Sequence, residues 1–182
     1  VETIPLNIPD ILTARLRLVA ITADMLDAES AHALRLQPLL HARVPAEWPD
    51  DNWEPHVFDY IRKQYADHPE TMGWMRYVVL PGDDPVLIGT VGAGPRKEHE
   101  VEFGYAILKP WQRRGFATEA ARTLLNEVFA NPTVESVIAH TYPHLQESIR
   151  VMEKCGLVAD GAGDEEGTVR YRLRRAAMLP SS

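Results

Sequence analysis

Between Val101 and Phe129 the chain runs without a break from an alternating pattern through a glycine-bearing turn into a helical repeat. That order commits these residues to one strand–loop–helix unit. The run Val101-Glu102-Phe103-Gly104-Tyr105-Ala106-Ile107 sets β-branched and aromatic residues at alternate positions, as a half-buried strand requires. From Thr118 to Phe129 the residues Ala121, Leu124, Leu125, Val128 and Phe129 fall on one helical face. The turn between them is Gln112-Arg113-Arg114-Gly115-Phe116-Ala117. The first N–H groups of a helix lack partners inside it, and the helix dipole adds positive potential at that end. Such an end accepts an anion. Gly115 and Ala117 are small enough for a phosphate to approach the main chain, and Arg113 and Arg114 carry charge-assisted donors. By themselves the same residues also read as a helix start with two solvated arginines.

The 182 residues are expected to form one domain, residues 1–182, with core enough to need no metal or disulfide. A formal charge of −7 speaks against general nucleic-acid binding, which wants a basic face, and favours cationic or amine partners through long-range attraction. Cys155 is the only cysteine, which excludes an internal disulfide and multi-thiolate metal sites. No apolar run approaches the roughly 20 residues that span a bilayer, and the first residues lack the order of a signal peptide. The expectation is a cytoplasmic protein without membrane contact, monomeric or homodimeric.

Residues 1–10 read as an extended lead-in, and Arg15 to Ile21 alternates as a first strand. Thr22 has the character of an N-cap for a helix reaching Leu36. A proline-rich segment bounded by Pro38 and Pro55 follows, containing Trp48, Asp50, Asp51, Trp53 and Glu54. A second helix is predicted over Val57–His68, then a hairpin of Gly73–Leu80 and Val86–Ala93 about the turn Pro81–Pro85. After the central unit come a strand Val134–His140, a helix Gln146–Cys155 closed by Gly156, and a hairpin about Gly161–Gly167. Several hairpins with one β-α-β unit indicate an α+β fold whose sheet is mostly antiparallel, with parallel strands in its second half.

The Q-x-x-G-x-A pattern of the turn, continued by Thr118-Glu119-Ala120 and preceded by Gly104-Tyr105, resembles the acetyl-CoA loop of the GNAT N-acetyltransferases. Within that family it is most similar to the branch with the ribosomal-protein N-terminal alanine acetyltransferases. Three more landmarks keep the family's order: Leu12–Leu18, Leu87–Val91 and Ser148–Leu157. The resemblance covers about residues 10 to 175. It implies a sheet whose two central parallel strands splay apart to admit the pantetheine arm of acetyl-CoA. It also implies direct transfer of the acetyl group to a primary amine, on a protein N-terminus or a small molecule.

By that resemblance Gln112, Arg113, Arg114, Gly115, Phe116, Ala117 and Thr118 hold the pyrophosphate, and Ile107, Leu108 and Lys109 meet the pantetheine. Glu102 corresponds to a glutamate that takes the amine proton through water, although it also reads as a solvated glutamate beside Glu100. Ser148 matches the serine of the family's N-x-x-S pattern and would serve the departing thiolate, although a serine at a helix start also satisfies backbone groups. Tyr142 is a second candidate donor. Leu145 departs from the pattern, since the family has asparagine there, and one cofactor contact is therefore missing. Trp48, Asp50 and Asp51 fall in the family's variable acceptor-side region, where aromatics supply walls and carboxylates attract an ammonium group. The same stretch also reads as a loop anchored by its tryptophans. Glu119 is read as structural. His140 and His144 lack a metal-binding spacing, and no metal is expected. The alternative function is a non-catalytic acyl-CoA-binding module, which Glu102→Gln would leave unaffected.

Overall fold

The computed structural model describes residues 7–178. Of the expected lead-in, residues 1–6 lie outside the described residues, and residues 7–10 form no regular element. Eight strands make one sheet: β1 (Ile11–Leu12), β2 (Arg17–Ala20), β3 (Met75–Leu80), β4 (Val86–Lys97), β5 (Glu100–Ile107), β6 (Ser136–Thr141), β7 (Val158–Ala162) and β8 (Val169–Arg174). Their spatial order is β1-β2-β3-β4-β5-β6-β8-β7, with β5–β6 the one parallel pair among them. The helices are α1 (Ala23–Ala31), α2 (Gln37–Leu40), α3 (Pro55–Asp67), α4 (Phe116–Ala130) and α5 (Gln146–Lys154).

Thr22 does cap α1, its side chain accepting from the Met25 amide at 3.3 Å. The helix predicted to reach Leu36 nevertheless ends at Ala31. His32 turns to extended backbone, and its ring accepts from the Leu34 amide to open a separate 3-10 turn, Ala33–Leu36, ahead of α2. Helix α3 starts at Pro55, two residues earlier than expected, because proline suits the first helical turn, where its missing N–H is no loss. Strand β6 starts at Ser136 rather than Val134, since Val134 still closes a turn onto Asn131.

Two cores lie on opposite faces of the sheet. Helix α4 buries Phe116, Ala120, Ala121, Leu124, Leu125, Val128 and Phe129 against Val91, Ala93, Val101, Phe103, Val137 and Leu173. Helices α1–α3 pack the other face, with Leu26, Leu40, Phe58 and Ile61 over Val19, Ile21, Tyr77 and Leu87. Deleting one such buried leucine to alanine costs about 2–5 kcal/mol, so each core is a large part of a typical domain's stability. On the α1–α3 face, Glu100, Glu102, Gly104 and Ala106 of β5 stay half-buried or exposed. This strip of sheet is the ground on which a site can be built.

A bulge in β4 controls the geometry next to that strip. Val78 pairs with Gly89 but Val79 with Leu87, so Ile88 is the extra residue and its carbonyl accepts from the Leu108 amide at 2.8 Å. The bulge presses Gly89 against β5, where a Cβ would run into the Ala106 carbonyl oxygen. Backbone cannot move aside as a side chain can. Gly89→Ala is therefore expected to lower stability by about 3 kcal/mol, seen as a fall in the urea midpoint at unchanged slope. An unchanged midpoint would mean that the strands are not so close.

Candidate active site

The parallel pairing of β5 and β6 stops early. Glu100, Val101 and Glu102 pair with Ser136, Val137 and Ile138, whereas β5 continues along β4 as far as Ile107. From Phe103 onward the second edge of β5 has no strand beside it among the described residues, and a gap opens between two neighbours of one sheet. Tyr105 stands in that gap, its hydroxyl donating to the Ser148 carbonyl of α5 at 2.8 Å and lying 3.3 Å from the Ser148 Oγ. Burial pushes the Tyr105 phenol up to about 12 despite the hydrogen bond to Ser148, so it keeps its proton near neutrality. Tyr142, by contrast, is exposed and stacks on His144.

Beyond the gap the chain makes a 3-10 turn, Lys109–Trp111, and enters α4 through two residues with left-handed backbone, Arg113 at φ 62° and Gly115 at φ 81°. Left-handed residues in alternation with right-handed ones turn successive N–H groups toward one concavity. The amides of residues 113–118 find no acceptor among the described residues. Gly115 caps α4 with no side-chain hydrogen bond, which leaves the positive end of the 15-residue helix open. These are the donors expected of an anion cradle. The Gln112 side chain is bound inward, donating to the Ile107 carbonyl at 2.7 Å. Arg113 pairs with Glu147 of α5 at 2.7 Å, and Arg114 donates to the Pro110 carbonyl at 3.1 Å. Of the stretch Ile107–Lys109, then, the Ile107 carbonyl and the Leu108 amide already have protein partners. Leu145 sits at the N-cap of α5, exposed and without a capping side chain.

The first turn of α4 is tied to the β1–β2 hairpin. Glu119 accepts from the Thr13 hydroxyl at 2.6 Å, the Arg15 amide at 2.8 Å and the Arg15 guanidinium at 2.7 Å. Arg15 also donates to the Arg114 carbonyl at 2.7 Å and lies over the Phe116 ring. Burial acts to raise the Glu119 pKa, but the hydrogen bonds from Thr13 and Arg15 outweigh it and hold the carboxyl below its ordinary value. Its reading as a structural residue fits these contacts.

Glu102 is not a free carboxylate. One oxygen accepts from His140 Nδ1 at 2.8 Å and the other pairs with Arg96 at 2.9 Å. Arg96 also pairs with Asp164 of the β7–β8 turn, and Asp164 stands 3.8 Å from His140 Nε2. Four charged or titratable groups thus close a ring at the point where β5 and β6 part. Glu102 remains 45% exposed within it, so water reaches the carboxylate. Gly94, paired with Glu102, has no Cβ where the Tyr60 hydroxyl of α3 sits. Between Glu102 and Ala106 the strip is floored by Gly104, over which space is open.

Four residues farther along β5, about 13 Å at strand rise, lies a cleft of about 180 Å³ lined by Trp48, Asp50, Asn52, Trp53, Gly89, Thr90, Tyr105 and Ala106. The structure therefore brings Trp48 and Asp50 to the β4–β5 strip, while Asp51 is exposed and outside the lining. Asp50 also accepts from the Asn52 amide at 3.0 Å, which shapes the turn. Sequence reasoning missed Tyr105, Arg96, Asp164 and the carboxylate of Glu29 behind the cleft. Tyr105 had a signal in its place on the predicted strand; the others meet only through sheet register and long-range packing.

The described residues form no helix long and apolar enough to cross a membrane. The model of the acetyltransferase (GNAT) domain matches residues 15–158. An uncharacterized N-acetyltransferase of Bacillus subtilis, YjdG, is 27% identical over 148 residues, 80% of this chain and 88% of its own. Among solved structures, the spermidine N-acetyltransferase of Vibrio cholerae in complex with CoA and spermine aligns at a TM-score of 0.59 and 20% identity, covering 91% of this chain and 98% of its own. The ribosomal-protein-S5-alanine acetyltransferase of Vibrio fischeri aligns at 0.64 and 14%, covering 94% and 100%. At such identities the two structures speak for the fold.

Two outcomes follow for the turn. Gly115→Glu puts a strained side chain and a negative charge at the amide cradle, and acetyl-CoA affinity by calorimetry should fall roughly 100-fold or more, about 3 kcal/mol, with the circular dichroism spectrum retained. Unchanged affinity would remove the cradle from the binding site. For Glu119 the folded pKa is lowered, so its stabilisation is present above the ordinary value of 4.5 and disappears as pH falls through the lowered one. Glu119→Gln should reduce stability at pH 7 by about 1–3 kcal/mol and flatten the acid limb of the stability curve below about pH 5. A variant with the same acid limb as the wild type would refute the assignment.

Proposed function

The chain belongs to the GNAT acetyltransferase family and is an acetyl-CoA-dependent N-acetyltransferase; on that premise we propose that it acetylates a primary amine directly, without a covalent enzyme intermediate. The acceptor is the amine of a small molecule or of a protein N-terminus. The observation that carries this reading is the juxtaposition at the β5–β6 gap: amides of residues 113–118 at one end, Tyr105 and Ser148 in the gap, and Glu102 where the strands part.

Acetyl-CoA supplies the activated acyl carbon. The residues present suit it: the 113–118 amides and the α4 dipole fit a diphosphate, and the free edge of β5 offers main-chain groups to an amide-bearing arm. The side chain of Arg113 would have to exchange Glu147 for phosphate, while Gln112 shapes the turn from inside by holding the Ile107 carbonyl.

The amine approaches over Gly104, where no side chain obstructs it. A new N–C bond forms as the C–S bond breaks; the amine nitrogen loses a proton and the sulfur leaves as thiolate. Glu102 accepts the proton through water. With Arg96 and His140 against it the carboxylate is held in one orientation, which suits relaying a proton through an ordered water. The thiolate is protonated from the Tyr105–Ser148 pair. Tyr105 holds a proton at neutral pH and Ser148 Oγ lies beside it. Trp48 and Asp50 wall the acceptor's path, and Asp50 attracts a cationic approach. Two fold neighbours act on a polyamine and on a ribosomal-protein alanine by their names, and both substrates present an amine.

The test is CoA release across an amine panel that includes spermidine and peptides beginning with Ala or Ser. Turnover of at least one amine is expected, and Glu102→Gln should lower kcat by roughly 100-fold or more with acetyl-CoA affinity unchanged. Full activity of that variant would remove Glu102 from the proton path, and no turnover of any amine would overturn the acceptor class.

A further inference from the structure

The cleft beside β5 is shaped from behind by a carboxylate that the transfer chemistry does not use. Glu29 of α1 is only 8% exposed. One of its oxygens accepts from Trp48 Nε1 at 2.7 Å and from Trp53 Nε1 at 2.9 Å, and the other from the Tyr77 hydroxyl at 2.5 Å. Both tryptophans line the cleft, and both pack edge-on to Tyr77. No lysine, arginine or histidine pairs with Glu29 among the described residues.

A carboxylate buried among apolar groups without a cation is costly, and a core position rarely keeps one unless its hydrogen bonds fix something. Here they fix two indoles that come from a loop. Residues 41–54 hold no helix or named strand; their backbone is held by local turns, onto Pro45 and Asp50, and by the pairing of Arg43 with Val86, contacts that do not reach the indole rings. An indole has a single N–H donor, and anchoring it leaves the ring little freedom to rotate. Two indoles anchored on one oxygen are oriented relative to each other, at a ring-centroid separation of 5.9 Å. An ionised carboxylate can accept all three hydrogen bonds, whereas a carboxamide offers one oxygen and turns an N–H toward a donor.

We infer that Glu29 is a positioning residue for the acceptor: by holding Trp48 and Trp53 it fixes the aromatic walls of the cleft and so sets the affinity for the amine's substituent. The inference rests on the proposed acceptor role of the cleft. It separates acceptor binding from chemistry, because Glu29 touches neither the β5–β6 gap nor the 113–118 turn.

The test uses the whole chain and three variants, Glu29→Gln, Tyr77→Phe and Asp50→Ala. With spermidine and an Ala-initiated hexapeptide as acceptors, Glu29→Gln should raise acceptor KM roughly tenfold with kcat within about twofold and acetyl-CoA KM unchanged. Tyr77→Phe, which leaves both indole contacts, should move acceptor KM less. In parallel, the indole N–H signals of Trp48 and Trp53, assigned with Trp→Phe variants, should both shift and lose exchange protection in Glu29→Gln. A role in folding alone would lower thermal stability without splitting KM from kcat. Unmoved indole signals, or moved signals with an unmoved acceptor KM while Asp50→Ala raises it, would overturn the positioning role. If neither Asp50→Ala nor Glu29→Gln moves acceptor KM, the cleft is not the acceptor site, and the proposal falls with that reading. Should the wild type turn over neither acceptor, unmoved indole signals refute the clamp, and moved ones support it while refuting the acceptors.

Discussion

The structure depends on one interruption in hydrogen bonding. A parallel pair of strands in the interior of a sheet ordinarily pairs along its whole length, because buried N–H and C=O groups left alone are costly. Here β5 and β6 pair over three residues and then part, while β5 remains zipped to β4 and β6 to β8. Each strand is held on its outer side, so the sheet survives the gap. The inner edge of β5 is left with main-chain groups directed at a slot rather than at a neighbour. A ligand that carries amides can substitute for the missing strand, which is β-augmentation inside a sheet.

The surrounding contacts can be understood as keeping that gap open and aligned. The Arg96–Glu102–His140–Asp164 ring ties β4, β5, β6 and the β7–β8 turn where the strands diverge. The β4 bulge and the Leu108–Ile88 hydrogen bond fix the far end of β5. Glu119 and Arg15 hold the mouth of α4 against the β1–β2 hairpin, so the unpartnered amides keep their direction. Ion pairs in such positions contribute less by net Coulomb energy, which solvent screens, than by geometry.

Local patterns carried much of this in the sequence. The apolar repeat of α4, the N-cap at Thr22 and the glycine at 115 each act over a few residues, and each appears where expected. The resemblance supplied the divergence of the central strands, which alternation within β5 could not. What stayed hidden arises from register. Glu102 meets Arg96 across the β4–β5 turn and His140 from β6, and no spacing in the chain encodes that meeting. The helix predicted through Leu36 failed for a similar reason: propensity ran on past His32, but the ring of that residue capped a new turn. Asp51, chemically equal to Asp50, faces away because the turn built on Asp50 and Asn52 shows only one carboxylate to the cleft.

The same distinction separates the two halves of the site. The half proposed to meet the coenzyme is made of backbone, glycine and a helix end, local features that are readable from the sequence. The half proposed to meet the acceptor is a loop whose tryptophans donate to a carboxyl group of helix α1, 19 and 24 residues earlier in the chain. Loops on a rigid sheet can change without disturbing the core beneath, provided that something fixes their side chains. A buried carboxyl group accepting from three neutral donors does so by direction more than by net attraction, since desolvation offsets much of what the hydrogen bonds contribute. On the proposed reading, a change in the loop or its anchor would alter the acceptor side while leaving the gap and the amide turn as they are.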